Sequence, residues 1–578
     1  MNNIFSNIWF LYNWISFKRK IQLLLLIGFS IFVSIMEIVT VGSVVPFVSS
    51  VLNSESEFGS NIIKIFKDKF DLKENNSLIF FLAIVFICFA IITGICRSIL
   101  IYIISRYSNV VLAEIGREIY NQKLNEPFIK FISTSSDEII SLISAKLLQI
   151  YGVISGILLF ITSSILLVAI ISILFFIDFD LTLISLSVFG ILYFLVVLLF
   201  KKTLLYNSQI ISKNQTLMVK SLQEGVGSIR DIILDGSQNI HVQSFSKLIF
   251  QRGFKVAIND LLSQSPRFLL ETVGIVLISI FLFFFYNTDE GILTLFPVLS
   301  ALALGAQKIM PLMNIIYTNY ATALGNAHQL NEAMDALREK TQKTEIEVNH
   351  EEIFFENKIL IKNVSFKYKD HLPYTIQNIN FEIPKGSKIG IVGKTGVGKS
   401  TLLDIIMGLL SPTQGQVYVD RNLISQRNKI SWRKKVTHVP QDIFLTNGTI
   451  LQNIALNINK NDIDISIVER CAKIANIYEF ILQLPSQFNE KVGERGIRLS
   501  GGQKQRIGIA RALYRNSELI VFDEATNALD TNTEKKIINS ITELKNVTIV
   551  MVAHRIDTLK ECDQVYEVHK DIIKKVNI

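Results

Sequence analysis

The most constraining feature of the chain is the run Gly393-Lys394-Thr395-Gly396-Val397-Gly398-Lys399-Ser400, which has the spacing of a phosphate-binding loop. Lys388 to Val392 before it reads as a buried strand, and Thr401 to Ile406 after it reads as a helix. The glycines let the backbone curl until successive N–H groups face phosphate oxygens. Lys399 adds a point charge, Ser400 offers a hydroxyl to Mg²⁺, and the helix N-terminus favours an anion. A nucleoside triphosphate with Mg²⁺ is the expected ligand. Any fold for this chain has to contain a strand, this loop and a helix in succession.

With 578 residues the chain is too long for one core, so two or more domains are expected. Apolar residues make up 49% of it, and the excess sits before residue 330. The later part has the mixed composition of a soluble α/β domain. The formal charge of +8 does not point to nucleic acid, because no aromatic-basic binding motif accompanies it. Lysines scattered between membrane-sized apolar runs fit a membrane protein with basic inner loops better. Cys88, Cys96, Cys471 and Cys562 have no metal or disulfide spacing. Lys18-Arg19-Lys20 precedes an apolar run far longer than a signal core, which reads as a retained first span.

Runs long enough to cross a bilayer, roughly 20 residues each, lie near 21–45, 78–104, 154–177, 181–200, 268–286 and 292–316. Six spans place both chain ends on one side, and the basic residues before the first and at Lys201-Lys202 make that side the cytoplasm. The helix-like connections 105–153 and 201–266 are long, so spans two to five should project well beyond the membrane. Glu126-Pro127-Phe128 and Gly225-Val226-Gly227 interrupt the helical pattern there. They read either as couplers that offer a short helix to another domain or as plain helix ends.

Ionisable side chains inside spans are costly and face water or a partner. Arg97, Arg267 and Lys308 together would present cations to an anionic head group such as a diphosphate. The alternative is that Arg97 and Arg267 pair with Glu37 and Glu271, or reach for an interface.

After a polar linker the chain alternates strand-like and helix-like segments. Leu519-Ile520-Val521-Phe522-Asp523-Glu524 is an apolar strand ending in two carboxylates. In that position Asp523 would hold Mg²⁺ through water and Glu524 would polarise the attacking water. Gln441 follows the strand-like Val436 to Val439, and His554 follows Val547 to Val552. Gln441 would touch the metal and the attacking water, and His554 the terminal phosphate. Tyr368 precedes the loop by a distance suited to a residue that stacks on adenine.

Leu499-Ser500-Gly501-Gly502-Gln503, taken with the loop, resembles the signature of the ATP-binding cassette (ABC) superfamily. With six preceding spans the chain is similar to an exporter-type half-transporter over nearly its whole length. The resemblance implies an all-α polytopic membrane domain of six helices with the ABC exporter type I fold (1–333), a linker (334–352) and an α/β P-loop NTPase cassette (353–578). It implies that Gly393 to Thr401 form the Walker A loop, Gln441 the Q-loop, and Leu499 to Gln503 the signature. Asp523 and Glu524 would be the Walker B pair, Asp530 the D-loop aspartate, His554 the switch histidine and Tyr368 the adenine-stacking residue. Two departures are minor: Asn527 stands where the family often has serine, and His569-Lys570-Asp571 lacks the usual glycine turn.

In such families the signature of one cassette caps the nucleotide on another, so one P-loop and one signature per chain imply a homodimer with two equivalent ATP·Mg²⁺ sites. Ser265-Pro266-Arg267 with Glu271 and Gly274, Lys308-Ile309-Met310-Pro311, and Val41 to Phe47 look similar to the bacterial lipid-linked oligosaccharide flippases (PglK-like). That likeness implies a polyprenyl-diphosphate glycan as cargo, membrane lipids as surroundings, no nucleic-acid partner, and residence in the bacterial cytoplasmic membrane with cassette and both termini inside. Export of lipids, drugs or peptides is the alternative, and a membrane-tethered ABC ATPase without transport is a remote one.

Overall fold

The computed structural model describes residues 2–52, 75–177, 179–286, 292–339, 351–525, 530–543, 547–553, 559–570 and 572–576. It divides into two units, Met1–Leu124 with Thr134–Lys340, and Asn125–Ser133 with Thr341–Ile578. Most of the expected linker, 340–350, lies outside the described residues.

The first unit is helical: α1 (Asn2–Trp14), α2 (Phe17–Gly42), α3 (Val44–Leu52) and α4 (Asn75–Leu124) come first. The short α5 (Phe128–Ser133) belongs to the second unit. Then α6 (Ser136–Ile140) passes through a π-helical segment, Ser141–Lys146, into α7 (Leu147–Ile177). There follow α8 (Phe179–Gly227), α9 (Ile229–Asp235), α10 (Gln238–Tyr286), α11 (Ile292–Gly325) and α12 (Ala327–Arg338).

Each of the six apolar runs lies in helix. Among the described residues four helices are long and apolar enough to cross a membrane. At 50 residues α4 is about 75 Å long, more than twice a hydrocarbon core, so its polar C-terminal half continues outside. The same holds for α8, and for the polar N-terminal half of α10, each helix having 49 residues. The polar ends of α4 and α8 turn where the sequence interrupts the helical pattern. α4 stops before Glu126-Pro127, where proline ends the ladder, and α5 follows, with Phe128 packed on the apolar core of its unit. α8 stops at Gly227, and α9 follows and closes on Gly236 in a left-handed C-cap (φ 62°).

The helical core gathers Val33, Ile104, Ile115, Ile150, Leu330 and Met334. Polar contacts join helices of the same unit. The buried Lys146 ammonium donates to Glu332 Oε2 (2.6 Å), which also accepts from Ser212 Oγ (3.0 Å), tying the π-helical segment, α8 and α12 together. Arg19 forks onto Glu114 at 2.8 and 2.9 Å.

The second unit is built on two sheets. Strands β1 (Lys358–Phe366), β2 (Ile376–Pro384), β4 (Gln414–Val419) and β5 (Asn422–Leu423) form an antiparallel sheet in the order β2-β1-β4-β5. The other sheet has the order β10-β9-β3-β8-β7-β6, from β3 (Lys388–Val392), β6 (Val436–Val439), β7 (Leu519–Asp523), β8 (Thr548–Val552), β9 (Gln564–Val568) and β10 (Ile573–Val576). All but β10 run parallel, and their near-continuous Ile, Leu and Val content suits strands buried on both faces.

Its helices are α13 (Lys399–Ile406), α14 (Lys429–Lys434), α15 (Ile450–Ile454), α16 (Ile465–Ile474), α17 (Tyr478–Leu482), α18 (Gly501–Tyr514) and α19 (Thr531–Thr542). Trp432 on α14 is fully buried. It donates its indole N–H to Ile406 O at 2.8 Å and meets the Phe355 ring edge-on at 5.7 Å. It thereby anchors the C-terminal end of α13, whose other end carries the phosphate-binding loop. Trp432→Ala should destabilise the second unit by about 3–5 kcal/mol, seen as an early cassette transition in a thermal melt.

Candidate nucleotide site

Because β3, β6, β7 and β8 are parallel, their C-terminal ends share one edge of the sheet, the edge at which open α/β sheets bind ligands. The loop 393–398 leaves β3, Asp523 and Glu524 end β7, and Gln441 follows β6. Register fixes the alignment: Asp523 lies opposite Val552 of β8, and Val439 opposite Phe522. The segment after β8 leads toward His554, which lies outside the described residues.

The loop has the backbone its glycines permit. At Gly398 (φ 103°) an added Cβ would come within 2.5 Å of Ile376, and at Gly393 within 2.7 Å of Val568 O. Neither position admits a side chain. Lys399, 8% exposed, turns its ammonium back into the loop and donates to Gly393 O (2.8 Å) and Lys394 O (3.2 Å). The charge thus already stands inside the curl, on carbonyls that a phosphate can replace. Ser400 is exposed at the start of α13, as a metal ligand must be. Lys394, Thr395 and Gly396 are exposed around it, Val397 is half-buried, and Thr401 is buried one residue further on.

The Tyr368 hydroxyl is hydrogen-bonded to Thr401 Oγ1 at 3.0 Å, and its ring stands edge-on to Phe366 at 5.0 Å. Held at both ends and partly exposed, the ring has a face for a base. Glu524 has a left-handed backbone (φ 52°), while its N–H donates to Val552 O at 3.1 Å. A non-glycine residue in that region costs about 1–2 kcal/mol, so the turn re-aiming this carboxylate is maintained against strain.

Asp404 is a neighbour that sequence reasoning missed. It follows Ser400 by four residues and so shares its helix face. Burial, and then the charge of Asp523, push its carboxyl up to about 6. Burial lowers the His438 pKa on β6, opposed by the same Asp523. The Ser400/Asp404 spacing was the signal available, but it gains meaning only once β7 is known to lie beside α13.

Leu499 to Gln503 are organised separately. Ser500 caps α18: its Oγ accepts from Gln503 N (3.2 Å), and Gln503 Oε1 accepts from Ser500 N (2.8 Å). Ser500 and Gly501 are exposed, Leu499, Gly502 and Gln503 half-buried. Asp530 caps α19, accepting from Thr533 N at 3.0 Å, and hydrogen bonds from Thr533 hold its carboxyl below the usual range. Among the described residues no hydrogen bond or ion pair joins 499–503 to 393–401.

The three membrane-domain cations are not brought together by the described contacts. Arg97 Nη1 is 4.0 Å from the buried Glu37 Oε1, beside a Thr40–Thr93 hydroxyl pair (3.1 Å) that also joins α2 and α4. Arg267 donates from Nε to Glu271 Oε1 at 2.7 Å. Lys308 lies in α11, with its side chain outside the described residues. Both arginines thus meet the carboxylates that the sequence offered as alternative partners.

A parallel-sheet P-loop unit with Walker A and B elements on one edge and a capped signature helix defines an ATP-binding cassette. Residues 376–527 match the family model described as ABC transporter. The chain therefore carries an ABC transporter cassette, which binds ATP with Mg²⁺, fused to a helical domain of a multi-pass membrane protein. It is 29% identical to an ATP-dependent lipid A-core flippase of Methylobacillus flagellatus over 60% of this chain and 58% of that protein. It is 32% identical to the lactococcin-G-processing and transport ATP-binding protein LagD of Lactococcus lactis over 62% of this chain and 50% of that one. The chain thus spans about half the length of these two relatives, 58% of the first and 50% of the second. A solved bacterial Atm1-family ABC exporter with ATP bound has the same fold, with a TM-score of 0.78, 19% identity, and coverage of 96% of this chain and 94% of that one.

Asp404→Asn tests the electrostatics of this edge. The folded-state pKa lies above the ordinary 3.8, so between about 4 and 6 the native state binds the extra proton and stability falls as pH rises. At pH 7.5, without nucleotide, the variant should be more stable by on the order of 1–2 kcal/mol after screening, and the gain should vanish below about pH 4. A thermal-shift series across pH measures it.

Proposed function

We propose that the protein is an ATP-driven exporter that acts as a homodimer and moves a lipid-linked oligosaccharide, a polyprenyl-diphosphate glycan, across the bacterial cytoplasmic membrane. The observation that carries the ATPase half is the split site: a phosphate-binding edge, and a capped signature with Ser500 and Gly501 exposed in the same chain, joined to that edge by no hydrogen bond or ion pair among the described residues. A second copy supplies the missing cap, with helix N-terminus and glycine N–H groups facing the γ-phosphate. The functional divisions are the membrane domain 1–333, the linker 334–352 and the cassette 353–578, with cassette and both termini cytoplasmic.

In the closed dimer Lys399 holds the β- and γ-phosphates, Tyr368 stacks on adenine, and His554 contacts the terminal phosphate. Mg²⁺ held by Ser400, Gln441 and, through water, Asp523 would neutralise phosphate oxygens. Glu524 accepts a hydrogen bond from the attacking water and orients it toward the γ-phosphorus, in line with the departing ADP. Asp530 sits at the dimer seam. Closure moves the turns at Phe128 and Gly225, and those move the spans.

For the cargo, support comes from the short sequence likeness to the oligosaccharide flippases and from a relative named for flipping lipid A-core. A diphosphate would compete with Glu37 and Glu271 for the two arginine forks and take Lys308 as a third cation. The name of LagD favours peptides instead, so translocation in proteoliposomes should compare a lipid-linked oligosaccharide with a peptide and a drug panel. Stimulation by the last two alone would remove the glycolipid reading.

Glu524→Gln should abolish turnover while leaving ATP bound in a closed dimer, measured by nucleotide retention on size exclusion. Hydrolysis at the wild-type rate would remove Glu524 from the chemistry. Neutralising Arg97, Arg267 and Lys308 together should block glycolipid translocation far more than basal ATPase. Equal loss of both, with a misfolded product, would assign these cations to ion pairs alone.

A further inference from the structure

Helix α1 has two apolar faces, and among the described residues only one is covered by protein. Inward, Phe10, Leu11, Trp14 and the buried Ile15 pack on the helical core, and Asn7 is 2% exposed. Outward, Phe5, Trp9 and Tyr12 form a stripe at helical spacing, 63%, 66% and 41% exposed, with the Trp9 and Tyr12 rings stacked at 5.9 Å. The stripe runs into the membrane span: α2 begins at Phe17, 78% exposed, and continues with exposed Ile21, Leu24 and Leu25. Lys18 and Lys20 stand at that corner, with Lys20 Nζ 5.1 Å from the Tyr12 ring centre, whereas Arg19 is committed to Glu114. An aromatic stripe continuous with a span and edged by two lysines is the chemistry of a helix lying on an anionic lipid surface.

The inward face is joined to the exit from the membrane domain. Asn7 Nδ2 donates to Asn331 Oδ1, and Asn7 Oδ1 accepts from Arg338 Nη2 at 2.6 Å. The Arg338 guanidinium lies 4.8 Å from the centre of the Phe10 ring and also bonds Asp335 at 3.2 Å. Arg338 is the last residue of α12, and the next, Glu339, pairs with Lys123 in the last turn of α4 at 3.6 Å. A buried asparagine using both ends of its amide to grip one neighbouring helix fixes a position as well as adding stability.

We propose that α1 is a lipid-responsive latch: seated on anionic lipid through Phe5, Trp9, Tyr12, Lys18 and Lys20, it holds the last turn of α12 through Asn7 and Arg338 and so sets the rate at which the cassettes turn over ATP. The assignment rests on the exporter reading above. Lipid that fails to seat α1 leaves Asn7 free to move away from Arg338, and the last turn of α12 loses that hold while Glu339 keeps Lys123. The anionic component is needed for the lysines, and neutral lipid seats the aromatic stripe alone.

The full-length protein is reconstituted in phosphatidylcholine vesicles with and without phosphatidylglycerol, and ATP turnover is followed alongside quenching of Trp9 by brominated lipid, with Trp9→Phe as the blank. Wild type should turn over ATP several-fold faster with phosphatidylglycerol, with the difference shrinking as salt rises. Asn7→Ala and Arg338→Gln should keep the rate seen in neutral lipid, keep Trp9 quenching, and lose the lipid response. Lys18→Gln with Lys20→Gln should lose both the response and the extra quenching. A response undiminished in Asn7→Ala and Arg338→Gln, or equal wild-type turnover in the two lipids, would overturn the latch while leaving the exporter in place. Absence of turnover in every lipid would overturn the exporter reading, and the latch with it.

Discussion

A lysine ammonium buried at the positive end of a helix is unfavourable unless something negative faces it, and Lys399 occupies such a place. In the protein alone the Gly393 and Lys394 carbonyls serve as partners. They are dipoles, and a polyphosphate is a better answer to a full charge. The loop can hold the ammonium there only because Gly393 and Gly398 leave no side chain in the curl between β3 and α13. The surrounding elements are arranged to keep that geometry, from the parallel strands that align the Walker B carboxylates to Trp432 at the far end of α13.

The same edge gathers negative charge deliberately. Asp404 and Asp523 lie together where a divalent cation is expected, and burial, then the charge of Asp523, raise the Asp404 pKa. The left-handed turn at Glu524 adds strain of the same kind. Both costs fit a surface shaped for Mg²⁺ and phosphate rather than for maximal stability of the empty cassette.

In the membrane domain the balance runs the other way, because ions in a bilayer are tolerated only with partners. Glu37 with Arg97 and Glu271 with Arg267 satisfy that requirement within the chain. Elsewhere in this unit, Lys146, Glu332, Ser212, Asn7 and Arg338 fasten α12 to three other segments, so that this helix moves with the bundle.

Local sequence determined the phosphate loop, the strand-end carboxylates, the capping box at Ser500 and Gln503, and the turns at Glu126-Pro127 and Gly225 to Gly227. Each depends on residues within a few positions of one another, where glycine, proline and capping chemistry act directly. The apolar runs determined the helices of the membrane domain in the same way, through length and hydrophobicity. Tertiary structure alone decided that Asp404 faces Asp523, that Tyr368 bonds Thr401, that Glu524 sits on a left-handed turn, and that Asn7 grips Arg338 from more than three hundred positions away. Those pairings follow from strand order and helix packing, which bring distant residues together at distances no spacing in the chain encodes.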